Sequence, residues 1–233
     1  MKIYLLVEGE KTEMKLYPAW LSFLLPELKM ANSFKSEGNN CYYLFCGQGI
    51  PSTYNHVANA IKDVNARPEL NYDYLIVCLD GENLGVEGRK QKLINYLNEK
   101  QVELISKCKL RNIVQNACVE TWFLGNRKIV KSNPNGDYLK DYLQHYNVRI
   151  EDPELMPHKE PYKTRAQFHE SYLSEVFKEH ELSYRKAKPK EVLSQSYLEE
   201  IIKRTNDMPT HLNSIQEFFS LIYEIKEVLA KNQ

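Results

Sequence analysis

Two runs of apolar residues without polar alternation place the strongest limit on the fold of this chain. Residues 2–7 read KIYLLV, and residues 73–79 read DYLIVCL. A strand with one face in water alternates apolar and polar residues, whereas a strand covered on both faces does not. Both runs therefore predict parallel strands in the middle of a sheet that has helices on its two faces.

Two further strand candidates, residues 41–46 and 110–114, complete this pattern. Helical stretches lie between and after the strands, and they begin near residue 12, follow Pro51, and cover 90–97 and 118–124. When strands and helices alternate, the strands form a parallel sheet with right-handed crossover helices. We therefore predict an α/β fold for residues 1–130.

The pattern changes near residue 131, where the turn-rich sequence S-N-P-N-G begins at residue 132. Only helices are predicted beyond it, at 137–146, 164–181, 190–204 and 210–231. The predicted organisation is a sheet domain over residues 1–130 and a helical C-terminal region over residues 131–233. We expect the helical region to pack on or beside the sheet domain.

Composition limits the function classes. The 31 basic and 31 acidic residues balance, so a phosphate-binding role would need a local basic surface or a bound metal. The five cysteines form no C-x-x-C pair, which favours reduced thiols and a cytoplasmic protein. The first apolar run is too short for a signal peptide or a membrane span. The six histidines have no metal-binding spacing, and we expect surface or capping roles for them.

Acidic residues follow the predicted strands. Glu8 comes directly after the first strand, Asp80 and Glu82 after the third, and Glu120 after the fourth. The carboxyl ends of parallel strands face one edge of the sheet, where ligands bind. Mg²⁺ prefers hard oxygen ligands and keeps several waters, so two or three carboxylates suffice to hold it. A divalent-metal site at this edge is therefore predicted.

Four short elements resemble the Toprim domain of topoisomerases, primases and OLD-family nucleases, and are closer to the RloB-like branch of bacterial defence loci. In chain order these elements are E-G-E-K-T-E at 8–13, G-Q-G at 47–49, D-G-E at 80–82 and N-A-C-V-E-T-W-F-L at 116–124. The resemblance covers residues 1–130 and implies a Rossmann-like parallel sheet. It also implies a metal-dependent nuclease of anti-phage defence that cuts phosphodiester bonds of DNA or RNA.

The resemblance also implies roles for single residues. Glu8 would be a metal ligand or a general base, Asp80 a direct ligand of Mg²⁺ or Mn²⁺, and Glu82 a further ligand where the family more usually has aspartate. Glu13 and Glu120 would be additional ligands. Outside the resemblance, the basic segment Y-R-K-A-K-P-K at 184–190 could grip a nucleic-acid backbone, so the residues expected to contact nucleic acid are Lys11, Arg185, Lys186 and Lys188.

Two alternatives remain open at the level of sequence. The first is a Toprim ribonuclease that processes RNA, which would share the chemistry and differ in its substrate. The second is a non-catalytic adaptor or sensor that works with an ABC-type ATPase, which the zero net charge and Glu82 favour. Apolar stripes on the late helices would allow a homodimer, and no membrane partner is expected.

Overall fold

The computed structural model describes residues 1–36 and 38–231, and it contains a five-stranded sheet. The strands are β1 (Lys2–Val7), β2 (Lys29–Ala31), β3 (Cys41–Cys46), β4 (Tyr74–Asp80) and β5 (Lys109–Gln115). All strands run parallel, in the order β2-β3-β1-β4-β5. The predicted parallel α/β fold is confirmed.

The described ranges form eight α-helices. These are α1 (Glu13–Leu24), α2 (Ser52–Ala66), α3 (Gly85–Glu99), α4 (Val119–Phe123), α5 (Asp137–His145), α6 (Arg165–Lys178), α7 (Gln195–Asp207) and α8 (Asn213–Lys231). Each predicted helix is present. The largest differences between predicted and observed bounds are at the starts of two helices. Helix α3 begins earlier than predicted, because Gly85 and Gly88 are typical of a loop although they lie in the helix. Helix α7 begins later, because the chain before it forms a separate 3₁₀ turn, Lys190–Leu193.

Strand β2 was not predicted from the sequence. It has three residues, two of them exposed, and it pairs with the start of β3 so that Lys29 lies opposite Cys41. An edge strand this short has no apolar run of its own. It forms because β3 offers unpaired backbone groups along its outer side.

Spatial contacts divide the chain into two compact units. The first consists of Met1–Leu79, Glu87–Val114 and Phe218–Gln233, and the second of Asp80–Val86 and Gln115–Glu217. The first unit therefore contains nearly all of the sheet and the later part of α8. The second contains the chain that leaves the carboxyl ends of β4 and β5, together with α4 to α7. The predicted boundary at residue 130 stays a prediction.

Strand β1 is the centre of the sheet because it pairs on both sides. Val7 lies opposite Cys46 of β3 and opposite Cys78 of β4. All six residues of β1 are buried, including Leu6 and Val7, which have no exposed surface. The chain leaves β1 towards β2 and β3 and leaves β4 towards β5, so the direction of winding reverses between β1 and β4.

We expect the change Ile76→Ala in β4 to lower the free energy of unfolding by about 2–5 kcal/mol, because it leaves a cavity in a closely packed core. Ile76 is 4% exposed, whereas Ile94 on α3 is 49% exposed. The matched control Ile94→Ala should change the free energy by less than about 1 kcal/mol. Urea denaturation measures both values, and equal losses would contradict the burial of β4 on both faces.

Candidate functional site

Glu8 is held at the carboxyl end of β1 by its backbone. Its N–H donates to the Cys78 carbonyl of β4 at 3.1 Å, and its carbonyl accepts from the Gly49 N–H at 3.1 Å. The side chain is half-buried. Parallel pairing therefore continues one residue past Val7, and it fixes the backbone of Glu8 beside the end of β4.

Glu13 is the first residue of α1, and its side chain is buried, although acids at this helix position are usually solvated. A methyl group at position 9 would overlap the Glu13 carboxylate. Gly9 therefore leaves room for the Glu13 carboxylate, which would have to shift if position 9 carried a side chain. Burial raises the pKa of the Cys78 thiol to about 12, and the Glu13 charge contributes in the same direction. The carboxylate of Glu13 thus lies near the carboxyl end of β4.

The turn after β3 has the sharp geometry that its two glycines predict. Gln48 and Gly49 both adopt positive φ, of 60° and 79°. The Gly49 carbonyl then accepts from the Thr53 N–H at 2.9 Å, in the first turn of α2. This turn is therefore hydrogen-bonded to the Glu8 backbone at the same edge of the sheet.

In the second unit, the loop after β4 is fixed against the chain that follows β5. The Gly81 N–H donates to the Gln115 carbonyl at 2.8 Å, and the Glu82 N–H donates to the Ala117 carbonyl at 2.7 Å. Glu82 has a φ of 46° and Ala117 a φ of 60°. Non-glycine residues in this left-handed region are strained. The exposed side chain of Glu82 follows the half-buried Asp80 by two residues.

Glu120 and Lys186, two predicted site residues 66 positions apart, lie together in the second unit. Glu120 is buried in α4, and its Oε1 accepts from the Tyr184 hydroxyl at 2.8 Å and lies 3.6 Å from Lys186 Nζ. Lys186 Nζ is also 3.1 Å from Glu170 Oε2. Burial opposes the charge of Lys186, but the carboxylates of Glu120 and Glu170 outweigh it and raise its pKa.

Cys118 links this cluster to the end of β4. Burial raises the pKa of its thiol well above the ordinary value, and the charges of Glu120 and Asp80 add to the effect. Both carboxylates therefore lie near the same buried sulfur. The structure brings Asp80, Glu120 and Lys186 into one region of the second unit.

The other predicted contacts with nucleic acid lie on the surface. Lys11, Arg185 and Lys188 have exposed side chains. Lys186 differs from its neighbours in the basic segment because two carboxylates already compensate its charge. The nucleic-acid role of all four residues stays a prediction.

Two buried polar groups of the second unit were missed at the level of sequence. His169 has no exposed surface, its Nδ1 lies 2.7 Å from Thr121 Oγ1, and burial lowers its pKa to about 3, so the expected surface role is wrong for this histidine. Glu154 accepts from the Ser214 N–H at 3.0 Å and from its hydroxyl at 2.5 Å. The Ser214 hydroxyl accepts from Nε1 of the fully buried Trp122 at 2.7 Å.

Asp80 and Glu82 of the second unit offer carboxylate oxygens, the donor chemistry that a hard divalent cation prefers. Among residues 1–36 and 38–231, no group of three or more His, Cys, Asp or Glu side chains is arranged to hold a metal ion. Mg²⁺ commonly binds through one or two carboxylates, several waters and the phosphates of a substrate.

These features define a class of protein, namely parallel α/β proteins with acidic side chains at the carboxyl ends of the strands. No protein-family model matches the chain, and no curated protein or solved structure matches it. In the part of the chain that the structure describes, no helix combines the length and apolar character needed to cross a membrane.

We expect the change Glu82→Asn to keep or slightly raise the stability of the fold, because asparagine tolerates positive φ better than glutamate does. The gain should be within about 1 kcal/mol. Thermal unfolding checks the stability, and metal titration of the same variant shows whether the carboxylate was needed. A clear loss of stability would mean that the Glu82 side chain is structural.

Glu154 should make the fold less stable as pH rises. Burial raises its pKa to about 7, although the hydrogen bonds from Ser214 act in the opposite direction and lower it. The unfolded chain releases this proton near the ordinary value of 4.5, so the folded state holds the extra proton between pH 4.5 and 7. The stability that this proton confers is complete below pH 4.5 and lost by about pH 7, up to about 3 kcal/mol.

Denaturation at a series of pH values tests this, because Glu154→Gln should flatten the profile between pH 4.5 and 7. The control Glu87→Gln makes the same change at a side chain that is 86% exposed, and it should keep the wild-type profile. A Glu154→Gln profile with the original slope would contradict the assignment.

Proposed function

We propose that the protein is a metal-dependent nuclease that hydrolyses phosphodiester bonds of DNA or RNA, with Glu8, Asp80 and Glu82 as its central acidic residues. The observation that carries this proposal is the position of Glu8 and Asp80 at the carboxyl ends of neighbouring strands, where the winding of the sheet reverses. In open parallel sheets, ligands bind in the crevice at such a reversal. The Toprim resemblance of the same residues supports the reaction class.

Each of the three acidic residues would have its own role in the reaction. Asp80 and Glu82 would hold Mg²⁺ or Mn²⁺, and Glu8 would be a further ligand or would accept a proton from the attacking water. The bound ion would supply Lewis acidity towards the phosphate and a more acidic water. Lys186, kept protonated beside Glu120 and Glu170, would place a positive charge near the phosphate oxygens.

Glu13 and Glu120 enter the proposal as supporting carboxylates. Both are buried, and Glu120 already accepts from Tyr184. Their first effect would be to add negative charge near the ends of β4 and β5, which would strengthen cation binding at the other carboxylates. Direct ligation by either residue remains part of the hypothesis.

Purified protein with Mg²⁺ or Mn²⁺ should cleave at least one of three substrates: single-stranded DNA, duplex DNA or structured RNA. Glu8→Gln and Asp80→Asn should each lower the rate roughly 100-fold or more, because each removes a charged ligand or base. Glu10→Gln, in the same loop as Glu8 and exposed, is the matched control. Full activity in both site variants would end the hypothesis.

The same assay separates the alternatives. Cleavage of structured RNA alone would favour an RNA-processing ribonuclease. A non-catalytic adaptor is the second candidate, and the balanced charge and the pairing of Glu120 with Lys186 favour it. Calorimetry decides between catalyst and adaptor, because an adaptor should show no binding of Mg²⁺ or Mn²⁺ near millimolar metal. An ABC-type ATPase would then be the partner to test.

A further inference from the structure

A basic cleft lies on the surface of the second unit, outside the acidic cluster and the basic segment described above. Its volume is about 630 Å³, and five of its eight lining residues are lysine or arginine. The basic residues are Arg127, Lys128, Arg149, Lys203 and Arg204. They come from three separate parts of the chain, and all of them belong to the second unit.

Acidic neighbours cancel only part of this charge. Arg127 is 2.7 Å and Lys203 3.7 Å from Asp207 Oδ2, and Lys128 Nζ is 3.0 Å from Glu200 Oε1. The Lys128 and Lys203 side chains are 74% and 66% exposed. Exposed ion pairs contribute little, about 0–1 kcal/mol, so a phosphate oxygen can replace the carboxylate partner at low cost.

Arg149 and Arg204 have different roles in the cleft. Arg149 is exposed, donates to the Val130 carbonyl at 2.8 Å, and has no ion pair among the described residues. Most of its five N–H donors are therefore available to an anion. Arg204 is fully buried and donates to the Val148 carbonyl at 2.7 Å and the Glu151 carbonyl at 2.6 Å, so it supports the floor of the cleft.

We propose that this cleft binds the phosphate backbone of a nucleic-acid strand and fixes the substrate at a distance from the reacting bond. The choice of nucleic acid as ligand rests on the proposed function. The arrangement favours a nucleic-acid strand as the ligand, and not a single small anion. The basic side chains line an open cleft and pair with two different carboxylates, so they do not converge on one point. Arg149 and Lys203 are then binding residues.

Fluorescence anisotropy on metal-free protein tests the proposal, with labelled single-stranded DNA, duplex DNA and RNA at several salt concentrations. The double variant Arg149→Gln/Lys203→Gln should weaken binding roughly tenfold and make the salt dependence shallower, by about 0.9 in log–log slope for each duplex phosphate that the protein no longer neutralises. The double variant Lys62→Gln/Lys92→Gln removes the same charge from exposed positions on α2 and α3, and it should bind like wild type. Thermal unfolding confirms that both variants are folded.

Three outcomes would overturn the inference: no binding by the wild type, equal weakening in both double variants, or competition by pyrophosphate as strong as that by a longer strand. The last outcome would indicate a small-anion site. Cleavage assays keep this proposal separate from the nuclease proposal. Strand binding without metal-dependent cleavage would contradict the nuclease proposal and support the cleft proposal. Cleavage with an unchanged KM in the cleft variant would contradict the cleft proposal and support the nuclease proposal.

Discussion

The double pairing of β1 is the interaction on which the rest of the structure depends. Because β1 is hydrogen-bonded in parallel to both β3 and β4, its backbone is satisfied on both sides and its side chains must be apolar on both faces. The chain can reach a further parallel strand only through a crossover connection to one side of β1 or the other. Since it goes to one flank after β1 and to the other after β4, the winding of the sheet reverses at the carboxyl edge between these two strands.

Carboxylates at such an edge repel one another unless something compensates their charge. The first unit buries Glu13 above Gly9, and the second buries Glu120 against Tyr184 and Lys186. Buried unpaired charge is costly, and Lys186 Nζ, 3.6 Å from Glu120 Oε1, places an opposite charge beside this buried carboxylate. The same ammonium offsets the charge of Glu170. Such a pairing of a buried acid with a partly exposed base is common where charge has a chemical use, and also in purely structural networks.

The parts of the structure that could be predicted are those encoded locally. Strands β1 and β4 are evident in the sequence because burial on both faces requires a continuous apolar run, and the position of Glu8 then follows from parallel pairing. Strand β2 could not be predicted, because its three residues gain their structure from β3. The burial of Glu120 could not be predicted either, because it depends on Tyr184 and Lys186, more than sixty residues away. His169 was misjudged for the same reason, since the histidine spacing carries no information about Thr121.

The balanced net charge shows most clearly why composition is a poor guide to phosphate binding. Charges on a protein surface act within about 8–10 Å at physiological salt, so a ligand senses local arrangement and not the sum over 233 residues. Arg127, Arg149 and Lys203 are separated by more than twenty positions and form no cluster in the sequence, yet they line one cleft. Conversely, the dense segment around Lys186 loses part of its positive field to Glu120 and Glu170. The fold thus gathers part of a neutral composition into one basic cleft, which is the local charge that the proposed binding of a nucleic-acid strand would require.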